Sequence, residues 1–317
     1  MPKISVIVPI YGVEKYIERC ACSLFEQTMD DIEYIFVNDC TKDNSMGILK
    51  ATLSRYPHRE SQVKILDLPV NGGLPRARVQ GLQMATGDYI AHCDSDVWVE
   101  VKAYEKLYDK AVSMDADIVF CDYYKGDETN LTYVHRPIDV TSSRNALYSI
   151  TKHVTWNIWS GIVRRSLYQT EDLRFPVMNN GEDFAFMFQL IYNAEKLAKI
   201  DEPLYYYFFN LSSITNTPSE DAYVKRYEQL LTNTELVIDF IERKGQTKNY
   251  KDLVNCYKLF CRTKISPLTK DRKYRRMWFA TFPELGVTDI MTNKVVPFKT
   301  ILNCLAVVLG VYHLINR

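Results

Sequence analysis

Apolar and polar positions alternate along the first 125 residues in a repeating order: a short apolar run, then an amphipathic stretch. Ile4-Ser5-Val6-Ile7-Val8-Pro9 is a β-branched run that predicts a strand stopped by Pro9. Ile17, Cys20, Ala21, Leu24 and Phe25 recur at helical spacing and predict a helix over 14–26. Ile32 to Val37 predicts a second strand, and Ile48, Leu49, Thr52, Leu53 and Tyr56 a second helix. Val63 to Leu68 predicts a third strand. Asn71-Gly72-Gly73 then reads as a turn, with Pro75 opening a helix. A helix near 101–112 and a strand from Asp117 to Tyr123 follow. This order predicts parallel strands joined by right-handed crossovers, an α/β core.

The stretch Ala85 to Asp96 stands at the centre of that pattern. Gly87 is read as a helix-closing residue in the left-handed conformation. Tyr89 to Cys93 predicts one buried strand, ending in two carboxylates, Asp94 and Asp96. In open α/β sheets, ligands bind at the carboxyl ends of the strands. Carboxylate and phosphate oxygens together suit Mg²⁺ or Mn²⁺. Alone, such a pair reads as a solvated turn. Three further clusters change that reading: Pro9-Ile10-Tyr11 with Glu14, Asn38-Asp39, and Asn71-Gly72-Gly73 with Arg76 and Arg78. A parallel sheet brings all four to one edge. That edge would hold an aromatic face, an acid for a base N–H, arginines for a diphosphate, and a metal-binding pair.

The second half is less regular. Helices are predicted at 142–150, Glu182–Lys196, 219–244 and 249–265, and strands at Gly161–Leu167 and Leu204–Phe209. Asn180-Gly181-Glu182-Asp183 reads as a helix start with acids in its first turn, which the macrodipole favours. Ile301 to Ile315 is apolar except at Asn303, Gly310 and His313. It predicts a C-terminal helix that either docks on the body or lies in a membrane surface. At about 22 Å it is shorter than the roughly 30 Å hydrocarbon core.

Composition bounds the picture. The 317 residues allow one large domain or a domain with an appendage. Hydrophobic residues at 47% supply a full core. The eight cysteines show no paired zinc-like spacing. With no leader read at Met1-Pro2-Lys3, a reduced cytoplasmic setting is expected. The net charge is zero, but Gly245 to Arg317 carry 13 Lys and Arg against 4 Asp and Glu, a net of +9. An acidic body with a basic tail points to an acidic surface, nucleic acid or an anionic membrane as partner for the tail; peripheral membrane contact is expected among the partners, and nucleic acid is not.

The strings Ser5-Val6-Ile7-Val8-Pro9-Ile10-Tyr11, Tyr34-Ile35-Phe36-Val37-Asn38-Asp39, Asn71-Gly72-Gly73-Leu74-Pro75-Arg76-Ala77-Arg78 and Gly87-Asp88-Tyr89-Ile90 with Asp94-Ser95-Asp96 run in order over residues 4–97. In this the chain resembles the family 2 glycosyltransferases of GT-A fold. The resemblance implies a Rossmann-like, mixed and mostly parallel sheet flanked by helices, with a helical C-terminal extension. It implies a glycosyltransferase domain over 1–215, with a nucleotide-sugar-binding half (1–100) and an acceptor half (101–215). Residues 216–317 would form the basic extension. Pro9 and Tyr11 would flank the base and Asp39 would contact uracil. Glu14, Arg76, Asp94 and Ser95 would complete the nucleotide-sugar site, and Asp96 would reach the metal. The Glu182–Asp183 pair would be catalytic, with Asp183 as the base. Trp156-Asn157 and Arg164-Arg165-Ser166-Leu167 resemble segments on the acceptor side. Two departures are Cys40, where glycine is common, and Val97, where many members carry another acid.

The expected function is metal-dependent, inverting transfer from a UDP-sugar to a hydroxyl of a glycan acceptor, with Mn²⁺ or Mg²⁺. Cell-surface polysaccharide on a lipid carrier is the expected setting, at the inner face of the membrane. The alternative is a nucleotide-binding or scaffold protein without transfer activity. Nucleotidyl transfer usually brings a glycine-rich phosphate loop, whereas residues 9–16 hold one glycine, Gly12. Processive synthases carry Gln-x-x-Arg-Trp and several membrane spans. Arg276-Met277-Trp278 is a superficial likeness, so addition of one or few sugars is expected.

Overall fold

The computed structural model describes residues 1–127, 130–208 and 219–315. The expected strand end at Phe209 and the expected boundary between 215 and 216 lie outside them. The chain divides into two compact units, one of Met1–Ala146, Asn157–Phe175 and Leu190–Leu211, the other of Leu147–Trp156, Pro176–Gln189 and Ser212–Arg317.

The first unit holds one mixed sheet. Its strands are β1 (Ile4–Ile10), β2 (Ile32–Asn38), β3 (Val63–Asp67), β4 (Tyr89–His92), β5 (Trp98–Val99), β6 (Ile118–Gly126), β7 (Leu131–Val134), β8 (Gly161–Arg164) and β9 (Leu197–Phe208). The order is β3-β2-β1-β4-β8-β6-β9-β5, with β7 on β6. β1, β2, β3 and β4 are mutually parallel, as the alternating pattern predicts. β8 enters antiparallel to both β4 and β6, and β9 runs parallel to β6. β5 and β7 were not read from the sequence. Each is too short or too exposed to carry a period, and each forms by pairing with a longer strand.

The helices α1 (Ile17–Phe25), α2 (Ser45–Leu53), α3 (Leu74–Met84) and α4 (Ala103–Met114) connect these strands. α1 buries Ile17, Cys20, Ala21, Leu24 and Phe25, the five positions its spacing singles out. They pack with Val6, Val8, Tyr34, Phe36 and Ala91 in the main core.

A buried carboxylate ties the sheet together. Glu33 on β2 accepts from the Ser5 hydroxyl (2.5 Å), the Thr86 N–H (2.6 Å), the Thr86 hydroxyl (2.9 Å), the Gly87 N–H (3.2 Å) and the Lys64 ammonium (2.5 Å). Burial pushes its pKa up, but Lys64, Ser5 and Thr86 outweigh that and hold it below the usual value. Gly87 is needed here for a reason other than the expected one. It is not left-handed. A Cβ there would lie 2.7 Å from the Ser5 backbone nitrogen, so the residue permits close approach of β1.

The second unit is helical. It holds most of α5 (Ser143–His153), the first two turns of α6 (Glu182–Asn193), and α7 (Glu220–Arg243), α8 (Lys251–Ile265), α9 (Arg272–Ala280), α10 (Val287–Thr292), α11 (Phe298–Leu309) and α12 (Tyr312–Ile315). Cys256, Leu259, Ile265, Trp278, Ile290, Cys304 and Val307 form its core. Arg262 is buried and donates to the carbonyls of Thr281, Phe282 and Leu285, pinning the turn after α9. The single helix expected over 301–315 is broken at Gly310, which is left-handed (φ 77°). α11 docks on the helices of its own unit.

Glu33→Ala is expected to destabilise the protein by about 2–4 kcal/mol, because buried N–H groups and a lysine lose their acceptor. Chemical denaturation measures it. The pH dependence has a fixed sign. A carboxylate whose folded pKa is lowered stabilises fully above its unfolded pKa. Wild-type stability should therefore fall as pH drops below about 4.3, and the variant should show a shallower acid slope.

Candidate active site

β1 and β4 are neighbours, yet the chain leaves β1 towards β2 and β3 before returning to β4. The crevice at their carboxyl ends is therefore the switch point where open α/β sheets bind ligands. Register pairs Ser5 with Ile90 and Ile7 with His92, and the Cys93 N–H donates to the Ile7 carbonyl. Pro9 does not stop β1, which pairs through it to Ile10, and Tyr11, Asp39, Asp94, Ser95 and Asp96 follow strands that end at this edge.

Asp94 is held at several points. Its carboxylate accepts from Arg78 Nη2 at 2.8 Å, and Arg78 is 1% exposed. Its N–H donates to the Tyr205 hydroxyl at 3.0 Å. Its carbonyl accepts from the thiols of Cys20 (3.7 Å) and Cys93 (3.6 Å). The hydrogen bond with Cys93, then burial, pushes the Cys20 thiol well up, so it stays protonated. Burial pushes the Tyr205 phenol well up too. His92, one residue before Cys93, is buried and meets the Tyr168 hydroxyl at 3.2 Å. Burial, then the Arg78 charge, pushes its pKa well down and keeps the imidazole neutral.

Asp94 and Asp96 are half-buried with buried Ser95 between them, in the turn between β4 and β5. Two carboxylates in one turn are hard oxygen donors, and they fit the coordination that Mg²⁺ and Mn²⁺ take. Val97 is 1% exposed and belongs to the core, so this chain offers no third acid there.

Asp39 is 2% exposed, and its two oxygens accept from the N–H groups of Gly72 (2.7 Å) and Gly73 (2.8 Å). Gly73 is left-handed (φ 84°). A Cβ on Gly72 would fall 2.2 Å from the Arg76 side chain, so glycine lets Arg76 lie across the loop. Cys40 is left-handed as well (φ 58°), which accounts for the glycine common at this position in the family; a side chain there costs about 1–2 kcal/mol. Pro9 is buried, Tyr11 is 51% exposed, and Arg76 is exposed. Glu14 is exposed, and its carboxylate accepts from the Asn44 N–H at 3.1 Å, before α2.

In the second unit, Glu182 and Asp183 occupy the first turn of α6, Glu182 buried and Asp183 half-buried. The loop before them is pinned by Asn233 of α7. Its side-chain amide donates to the carbonyls of Met178 (2.8 Å) and Asn180 (2.9 Å). Gly181 is left-handed (φ 86°) and faces Leu230 closely. Trp156 is packed against Phe184 and Tyr257.

The acceptor-side expectation for Arg164 and Arg165 is not met. Arg164 pairs with Asp117 and Asp115, and Arg165 donates to the Gly87 carbonyl. Both lie at the start of β4, the opposite end from Asp94, because β8 runs antiparallel to it. Three residues of the edge were missed or undervalued. Arg78, expected with Arg76 as a diphosphate arginine, is instead buried and pairs with Asp94, while Tyr205 and His92 lie in apolar runs with no local signal.

Asp122, His135 and Asp201 form a second acid–histidine group whose ligand atoms lie within 4.8 Å of one another. Asp122 already accepts from Tyr133 (2.5 Å), the Arg136 N–H (2.8 Å) and Lys199 (2.9 Å). The Lys199 ammonium also contacts Asp201. A lysine thus supplies the positive charge that this group requires.

The sheet with its switch-point edge is that of a GT-A glycosyltransferase. Staphylococcus aureus TarS (residues 1–349, in complex with UDP-GlcNAc) shares the fold, with a TM-score of 0.64 at 19% identity, over 98% of this chain and 89% of that one. The mannosyltransferase PcManGT of Pyrobaculum calidifontis, in complex with GDP-Man and Mn²⁺, gives 0.56 at 13% identity, over 98% and 87%. The uncharacterized glycosyltransferase EpsJ of Bacillus subtilis is 32% identical over 276 residues, 84% of this chain and 77% of that one. The glycosyl transferase family 2 model matches residues 5–174, and the chain belongs to that family.

Tyr205→Phe leaves the Asp94 N–H without its acceptor. One hydrogen bond is worth about 0.5–1.5 kcal/mol, so UDP affinity in Mn²⁺ should fall about 2–10-fold. Titration calorimetry decides it; an unchanged affinity removes Tyr205 from the positioning of Asp94.

Proposed function

We propose that the protein is a metal-dependent, inverting glycosyltransferase. It moves a sugar from a UDP-sugar to a hydroxyl of a glycan acceptor in cell-surface polysaccharide synthesis. The observation that carries this is the pinned Asp94 beside Asp96 at the carboxyl end of β4. The complexes of TarS with UDP-GlcNAc and of PcManGT with GDP-Man and Mn²⁺ support a nucleotide-sugar donor and a divalent ion.

Residues 1–100 would bind the donor, 101–215 would serve the acceptor, and 216–317 would form the extension. Tyr11 stacks on the base against Pro9. Each Asp39 oxygen keeps a lone pair beyond its glycine N–H and accepts from uracil. Arg76 meets the diphosphate, while Glu14 steadies the loop before α2. Asp94 and Ser95 face the sugar and ribose, and Asp96 would hold Mn²⁺ or Mg²⁺. When bound, that ion supplies Lewis-acid neutralisation of the departing diphosphate. Asp183, beside Glu182, accepts the proton of the acceptor hydroxyl as the hydroxyl oxygen bonds the anomeric carbon and the bond to diphosphate breaks. The transition state is oxocarbenium-like, and configuration inverts. No helix among the described residues is long and apolar enough to cross a membrane. A cytoplasmic enzyme meeting a lipid-linked acceptor at the inner membrane face belongs to the same reading.

A panel of UDP-sugars with Mn²⁺ and glycan acceptors tests the reaction. Release of free UDP with an inverted linkage is expected, and a retained linkage or pyrophosphate release overturns it. Asp183→Asn should lower transfer by roughly 10²–10⁴ with UDP affinity unchanged, the usual worth of a general base. Asp96→Ala should abolish the Mn²⁺ dependence of UDP binding while the melting temperature holds, since a turn carboxylate carries little packing.

A further inference from the structure

α11 has two apolar faces. Cys304, Ala306 and Val307 are buried, and Ile301, Leu305 and Val308 pack against the core of the second unit. Phe298 (73%), Leu302 (49%) and Leu309 (74%) stay exposed. Their spacing of four and seven residues makes one stripe along the helix. Beyond Gly310, on α12, Leu314 is also exposed.

α9 lies beside the end of this stripe. It buries Tyr274 and Trp278 and exposes Arg272, Arg276 and Phe279, with Lys270 exposed just before it. Arg275 joins the two helices, donating to the Val308 carbonyl at 3.2 Å. A Cβ on Gly310 would lie 2.8 Å from its guanidinium, so the glycine makes room for this contact. This bond places α9, with its exposed Arg272, Arg276 and Phe279, beside the C-terminal end of α11, where Leu309 is exposed. Lys299 is exposed beside Phe298. Of the four acids between Gly245 and Arg317, Asp271 caps α9, Glu284 pairs with Lys258 and Asp289 with Lys251, while Glu220 of α7 accepts from the Tyr274 hydroxyl.

We infer that the exposed stripe of α11 and the basic face of α9 together form a docking surface for an anionic lipid bilayer. α11 would lie in the plane of the headgroups, since its 12 residues span about 18 Å, too short to cross. Charge complementarity selects this occupant. Exposed leucines enter the acyl boundary while arginines meet anionic headgroups. A second copy of the chain is disfavoured, because a two-fold contact sets basic face against basic face. The inference rests on the lipid-linked acceptor proposed above, and it names the surface that would bring the enzyme to it.

The test is flotation of the full chain with phosphatidylcholine vesicles and with vesicles that also contain phosphatidylglycerol, at low and high salt. Flotation with anionic vesicles at low salt is expected. Leu302→Asp with Leu309→Asp should weaken partitioning about tenfold or more, since both remove apolar surface from the stripe and add charge. Arg272→Glu with Arg276→Glu should erase the preference for anionic vesicles. Circular dichroism and UDP binding in Mn²⁺ should be unchanged in both variants, as neither pair belongs to the donor site. Wild-type protein that binds UDP yet does not float overturns this inference alone, as does flotation equal in wild type and variants. A dimer in sedimentation that the leucine variant dissolves, without flotation, assigns the stripe to a second copy. Protein that floats but transfers no sugar overturns the proposed reaction and leaves the docking surface standing.

Discussion

A single buried carboxylate, Glu33, sets the frame on which the carboxyl-end edge of the sheet depends. It gathers the Ser5 hydroxyl, the backbone of Thr86 and Gly87, and the Lys64 ammonium. These groups belong to β1, the entry to β4, and β3. Five donors offset the cost of burying a charge, and they also dictate where β4 begins. Strand register does the rest. Four residues of β4 pair with β1, so its starting point decides that Asp94 emerges at the edge. A slip of one residue would turn every side chain of β4 over. The acid at the floor of the sheet thereby positions the acids at its top.

The same matching of charge recurs at other acids of the sheet. Asp94 is matched by a guanidinium, Asp39 by two backbone N–H groups, and Asp122 by a lysine and a tyrosine. Each match selects a conformation, because the donors come from distant elements. Arg78 comes from α3 and Tyr205 from β9, so the turn that carries Asp94 is braced by two elements far apart in the chain. A rigid turn of this kind suits electrostatic work, where oxygen donors must not reorganise during the reaction.

The helical second unit has its own constraint. Gly181 must be left-handed so that α6 can start with Glu182 and Asp183 in its first turn. Asn233, from the middle of α7, holds the two carbonyls just before it. The C-terminal helices are therefore part of what shapes the Asp183 loop. The same unit carries the basic tail. Arg262 and Arg275 are used internally on backbone carbonyls, while Arg272 and Arg276 face outward.

Much of the parallel half was legible in the sequence, for a local reason. Strands and helices there are long enough to show their periods. The four strings at the strand ends lie within residues 4–97, so their convergence follows from parallel topology alone. The family, the α/β class and the positions of Asp39, Asp94 and Asp96 at one edge could be read this way. Other features needed the tertiary structure. β5 and β7 exist through pairing. Gly87 serves close approach to β1, a contact 82 residues away in sequence. Arg78 is polar at a helical position, and only burial beside Asp94 distinguishes it from a solvated arginine. Tyr205 sits in a run of aromatic residues where any one could carry the hydroxyl that meets Asp94. Arg164 and Arg165 fell at the wrong end of the sheet because the direction of β8 is set by its neighbours. Periodicity and spacing are local, and they determined the elements and the order of the motifs. Hydrogen bonds between residues far apart in the chain determined which side chains brace the site, and sequence order alone does not encode those distances.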